Sequence, residues 1–174
     1  LLTPMAGPER GLYCLPEVDD EVLVAFEHGQ VEFPYVLGAL WNGKDKPPEQ
    51  NDDGQNNKRT LKSRSGHLIT LDDTQDNEQI VIRDKTGKNE IVIDSKNNAL
   101  SIRVEGDLTI EAKGKISLKS SSGDLSIAGK NLSFQAQQKC DIKANQNCQV
   151  QANAGLALKC MAGVKINDGA LEVM

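Results

Sequence analysis

From Leu61 onward the chain repeats one short phrase: an apolar residue, a polar one, a second apolar one, then a polar run with glycine. The apolar pairs are Ile69/Leu71, Ile80/Ile82, Ile91/Ile93, Leu100/Ile102, Leu108/Ile110, Ile116/Leu118, Leu125/Ile127, Leu132/Phe134, Cys140/Ile142, Cys148/Val150, Leu156/Leu158 and Val164/Ile166. Their spacings are 11, 11, 9, 8, 8, 9, 7, 8, 8, 8 and 8. The 9 and the 7 cancel, so an eight-residue period persists across Gly123 and Asp124. Alternation at i and i+2 puts both apolar side chains on one face of a strand. The intervening runs, such as "SSG" and "NQN", suit corners. A 3.6-residue period is missing, which argues against helix. A short fixed period marks an array.

A strand with two inward side chains cannot bury them alone. Either one chain coils on itself, three repeats to a turn, or three chains interleave around a shared axis. The corners favour three chains. They are two or three residues long, and Ala112, Ala128, Ala136, Ala144 and Ala152 recur at the fifth position of the repeat. Small residues suit a narrow shaft. The expected inward positions are Leu108, Ile110, Ile116, Leu118, Leu125, Ile127, Leu132, Phe134, Cys140, Ile142, Cys148, Val150, Leu156, Leu158, Val164 and Ile166. If all twelve strands advance along one axis, the shaft is roughly 55–60 Å long at the usual strand spacing.

The first 43 residues differ. "EVLVAFEHG" and "PYVLGALWNG" read as two alternating strands around a turn at residues 27–34. The segment reads as the closing part of a small barrel, with exposed edges unless another chain pairs with it. Residues 44–60, with Pro47 and Pro48 and no periodicity, read as a linker. The fold class is therefore all-β: a partial barrel over 1–43, a linker over 44–60, a shaft over 61–168 and a terminus over 169–174.

Composition narrows the function. The 174 residues are 38 % apolar but only 3 % aromatic, thin material for an ordinary globular core. The net charge of −5 disfavours nucleic acid as a partner. The sequence opens without the pattern of a secretory signal and has no apolar run long enough to cross a membrane as a helix. Cys14, Cys140, Cys148 and Cys160 form no CxxC pair, and only two histidines are present, so no metal or other cofactor is expected. Cys140 and Cys148 take apolar positions of the repeat and read as small buried hydrophobes.

Candidate chemistry is sparse. His28 reads as a turn residue. Ser65, His67 and Asp72 are close in sequence, but a triad requires groups from separated elements. "DDTQDNE" over 72–78 resembles a calcium loop, yet Asn77 stands at its sixth position and Arg83 at its twelfth. A solvated corner is the simpler reading. No catalytic residue is expected. The apolar "GALEVM" terminus is the one site that stands out. Gly169, Ala170, Leu171, Val173 and Met174, present three times over, would make an exposed apolar patch suited to a partner.

"TPMAGPERGLYCLPEVDDEVLVAFEHG", then "PYVLGALWNGKDKPP", then "RSGHLITLDDT" and "IVIRDKTGKNEIVIDSKNN" resemble, in that order, the VgrG-type and baseplate assembly protein V spikes. These spikes belong to phage tails, type VI secretion and extracellular contractile injection systems. The resemblance implies a homotrimer, with an oligonucleotide/oligosaccharide-binding (OB) type barrel followed by an intertwined triple-stranded β-helix. It implies a non-catalytic needle, assembled in the bacterial cytoplasm and driven through a target membrane when a sheath contracts. Tube or hub and baseplate proteins are the implied partners at the N-terminal side. A PAAR-type tip protein is implied on "VKINDGALEV". The rival reading is a single-chain β-helix that binds or degrades polysaccharide. Such a protein needs aromatics to stack on sugars, and the repeat region has one, Phe134.

Overall fold

Short hairpin connections favour a residue with positive φ, and the stretch from Lys58 to Arg103 supplies one at each reversal. In the computed structural model, which describes residues 1–163, Gly66 (φ 101°), Asp76 (φ 63°), Gly87 (φ 72°) and Asn98 (φ 50°) take these positions. Glycine enters this region without steric cost, and Asp and Asn tolerate it better than other residues. The strands so joined form a five-stranded antiparallel meander. It consists of β5 (Lys58–Lys62), β6 (Leu68–Asp72), β7 (Gln79–Arg83), β8 (Glu90–Asp94) and β9 (Ala99–Arg103), paired in sequence order.

Aspartates at strand ends brace three of the corners. The Thr74 N–H and hydroxyl donate to Asp72 Oδ1 at 3.0 and 2.5 Å. The Thr86 hydroxyl donates to Asp84 at 2.8 Å, and the Asn89 amide donates to Asp84 Oδ2 at 3.0 Å. The Asn97 N–H and amide donate to Asp94 at 2.9 and 2.8 Å. These bonds favour the ionised carboxylates. Thr74 holds Asp72 below its ordinary pKa, Asn97 does the same for Asp94, and Thr86 with Asn89 lowers Asp84 to about 2.

Ahead of the meander lie a short hairpin, β1 (Ala6–Gly7) with β2 (Arg10–Gly11), and an antiparallel pair, β3 (Val22–Phe26) with β4 (Pro34–Ala39). A bulge falls between Leu23 and Val24. A single 3-10 turn, Glu27–Gly29, carries His28 at φ 46°. This matches the two alternating strands and turn expected there. The Tyr35 hydroxyl donates to Glu27 at 2.8 Å across the end of the pair. That bond, with some desolvation, raises the Tyr35 pKa. The segment between β4 and β5 has no regular structure and ends at residue 57, so Lys58 to Thr60, read from the sequence as linker, are strand.

The chain divides into two units, Leu1–Gly114 and Lys115–Met174. Among the described residues, all nine strands belong to the first. In residues 115–163 of the second there is neither strand nor helix, and every residue is exposed. Along the chain after β9, however, the backbone bends at 105–106, 113–114, 121–123, 130–131, 137–138, 145–146, 153–154 and 161–162. The bends begin 8, 8, 9, 7, 8, 8 and 8 residues apart. They fall between the apolar pairs, with the same 9-then-7 irregularity that the sequence carries.

The shaft expected over 61–168 therefore has two different parts within one chain. Its first four apolar pairs lie in the antiparallel meander. The pairs from Leu108/Ile110 to Leu156/Leu158 lie in unpaired segments between bends. Among the described residues of the single chain the octads form no triple-stranded arrangement. Val164, Ile166 and the terminus over 169–174 lie outside the described residues.

Ionisation of Asp84 should matter to the β7–β8 corner. Its folded pKa is depressed, so its contribution is fully present above the ordinary carboxylate value and is lost as pH falls through about 2. An NMR titration is expected to place Asp84 at about 2. Asp84→Ala should speed amide exchange at Gly87 and Asn89 near neutral pH and remove the acid-dependent change there.

Candidate assembly interface

The registers of the meander assign every side chain to a face. Ile69 pairs with Ile82, Ile82 with Ile91, and Ile91 with Ile102. Leu71 pairs with Ile80, Ile80 with Ile93, and Ile93 with Leu100. Leu61 extends the first row across β5, and Arg59 ends the second. One face thus carries two parallel rows of large aliphatic side chains, nine in all. Each is between 38 % and 65 % exposed. Cross-strand β-branched pairs stabilise the ladder by about 0.2–1 kcal/mol each, yet their outer surfaces remain in water. Monomeric soluble proteins seldom leave so large a contiguous apolar patch open.

The opposite face is built differently. Its central row is Thr60, Thr70, Val81, Val92 and Ser101. Longer side chains flank it on both sides. On one side runs the row Lys62, Leu68, Arg83, Glu90 and Arg103. Glu90, only 11 % exposed, accepts from Arg83 Nε at 3.2 Å and pairs with Arg103 on its other side. On the other side lie Lys58, Asp72, Gln79 and Asp94. Among the described residues only Val81, Thr70 and Asp72 are buried, and all three belong to this face. A single chain therefore shelters its polar face and leaves its aliphatic face open.

The octads share that openness. Leu108, Ile110, Ile116, Leu118, Leu125, Ile127, Leu132, Phe134, Ile142, Val150, Leu156 and Leu158 are all exposed, as are Cys140 and Cys148. The backbone explains why they do not pair within the chain. Among the described residues from 104 to 162, none has positive φ. The octad corners bend the chain but cannot close a tight hairpin. Each octad is thereby sent onward, and its backbone groups stay open to water along the single chain.

The weaker candidates come apart in space. The Ser65 hydroxyl lies 3.4 Å from that of Ser63. His67 Nδ1 accepts from the Lys85 N–H at 3.3 Å, and Asp72 is engaged by Thr74. They do not face one another. The 72–78 segment is the β6–β7 corner, with Asp76 at positive φ. A cleft of about 480 Å³ lies between Trp41, Pro47, Pro48 and the β5 residues Lys58 and Thr60. Its wall is mostly polar loop. The tip residues Gly169, Ala170, Leu171, Val173 and Met174 are outside the described residues.

Sequence reasoning found the aliphatic pairs but not their grouping into one sheet. The signal was present: the first spacings are 11, 11 and 9, long enough for a five-residue strand and a reversing corner, while the later ones are near 8. The Glu90 clamp between two arginines had no signal, because the partners lie 7 and 13 residues away on neighbouring strands.

Against this geometry, residues 1–41, the segment holding β1 to β4, match the family of type VI secretion system and phage-baseplate injector OB domains. The all-β architecture agrees with such a domain. No curated protein matches the chain significantly.

Removing the Glu90 carboxylate leaves Arg83 and Arg103 facing each other. Glu90→Ala is expected to destabilise the sheet by about 1 kcal/mol, since charge-assisted bonds are lost but both arginines remain partly solvated. Urea unfolding at low salt and at high salt would measure this, with the smaller loss at high salt.

Proposed function

We propose that this chain is the central spike of a contractile injection apparatus, a non-catalytic needle of three copies that pierces a target envelope. The observation that carries the reading is the eight-residue rhythm of backbone bends. Between the bends lie apolar pairs that have no partner within one chain. The likeness of residues 1–41 to injector OB domains supports the same conclusion from the other end of the sequence. In the assembled shaft, each octad lays its apolar pair toward a common threefold axis and its Lys, Gln, Asn and Ser residues toward water. The thiols of Cys140 and Cys148 serve there as small apolar side chains.

Such a shaft suits axial load. Strands stack across the axis, so the backbone hydrogen bonds run along it, as in cross-β structures. Compression is borne by a continuous ladder and by packed layers, and a closed prism has no free edges along its sides. Eight octads, from Leu108 to Val164, advance about 38 Å at the usual strand spacing of about 4.8 Å. The work comes from sheath contraction. Tube or hub and baseplate proteins hold the N-terminal side. The apolar terminus, Gly169, Ala170, Leu171, Val173 and Met174, seats a PAAR-type tip protein. The particle assembles in the bacterial cytoplasm and meets the target membrane only on firing.

Light scattering on the purified protein is expected to give three times the 18.9 kDa chain mass, and electron microscopy to show a rod. A monomer would exclude the spike and favour the single-chain polysaccharide-binding alternative. A rod that binds a PAAR-type protein in wild-type form, but not as Leu171→Asp, would place the tip at the C-terminus.

A further inference from the structure

We infer that the aliphatic face of the β5–β9 sheet is where copies of this chain first join, and that the octads pair only afterwards. This rests on the proposed trimer and adds an order of assembly to it. The two apolar regions differ in what a lone chain can complete. The meander closes its own ladder, with one left-handed residue at every reversal and braced corners at three of the four. It can therefore form before any partner arrives. From 104 to 162 the octads have no intrachain ladder and no left-handed residue at a corner. They cannot become ordered until partner strands are already near.

The meander's open face fits a second and third copy of the same chain. Its centre, Ile80, Ile82, Ile91 and Ile93, carries no charge. Arg59, the only charged residue in the two rows, lies at the edge, where Asp73 holds it at 2.7 Å. Nothing on the face repels an identical face or calls for an oppositely charged partner. The apolar parity also runs on in phase from Leu100/Ile102 through the exposed Leu108/Ile110. The apolar repeat thus runs on in sequence from the pre-formed sheet into the octads. Joining copies at the sheet converts octad pairing from an encounter between chains into closure along a tethered array, which raises the effective concentration of each strand for its neighbours.

The test uses the full chain in three forms: wild type, Ile82→Thr with Ile91→Thr, and Ile142→Thr with Val150→Thr. Threonine retains strand propensity while removing apolar surface. Mass is read by light scattering, and amide exchange is read separately over 58–103 and 108–158. The sheet-face variant is expected to fall to 18.9 kDa, with its sheet amides still protected and its octad amides exchanging freely. The octad variant should keep the wild-type mass and lose protection only near the substitutions. If the sheet-face variant unfolds, dilution of the wild type gives the same reading. Octad protection should disappear together with the assembled mass, while sheet protection outlasts both. An assembled sheet-face variant, or a monomeric octad variant, would overturn the order. A wild type already at 18.9 kDa would overturn the spike as well, so the two failures are distinguishable.

Discussion

Every backbone amide in a strand needs a partner, and the geometry of the corner decides where that partner comes from. A corner with a left-handed residue turns the chain back on itself, and the next strand pairs with the last. A corner without one redirects the chain and leaves both strands open. This protein uses the two kinds in succession. Gly66, Asp76, Gly87 and Asn98 reverse the chain four times and build a sheet inside one molecule. From 104 to 162 the chain only bends, about once every eight residues, and no strand ladder forms.

Burial follows the same division. The sheet shelters Thr70, Asp72 and Val81 on a face walled by longer side chains, with Glu90 clamped between Arg83 and Arg103. Its aliphatic face and the apolar octad side chains among the described residues remain in water. With so little apolar surface removed from water inside one chain, the hydrophobic term that normally dominates folding is largely unused. In the proposed trimer the same surface, closed between copies, would supply the drive for association. Stability and oligomeric state would then be one quantity, dependent on protomer concentration.

The proposed mechanical function would follow from closing that surface between copies. A needle must resist load along its length without a thick core. Short strands stacked across an axis, with small residues at the corners, give a thin rod whose hydrogen bonds lie along the direction of thrust. The N-terminal segment, residues 1–41, is similar to injector OB domains. Aspartates below their ordinary pKa keep the meander corners braced over the pH range above the carboxylates' own titration.

The octad rhythm was fully legible in the sequence, down to the 9 followed by 7 around Gly123, because a period in apolar positions and a period in corners are the same physical fact. The all-β class and the β3–β4 pair were legible for the same reason: alternation fixes strands locally. The sequence alone did not show that Ile69, Ile82, Ile91 and Ile102 form one row on one sheet, or that Lys58 to Thr60 are strand. Register depends on which residue of each corner adopts positive φ, and "DDTQDNE" offers several. Nor did it reveal Glu90 as a clamp, since its arginines come from strands that only the tertiary pairing sets beside it. Apolar period is a property of the chain; the closing of a ladder within that chain depends on corner conformation, which only the three-dimensional structure decided.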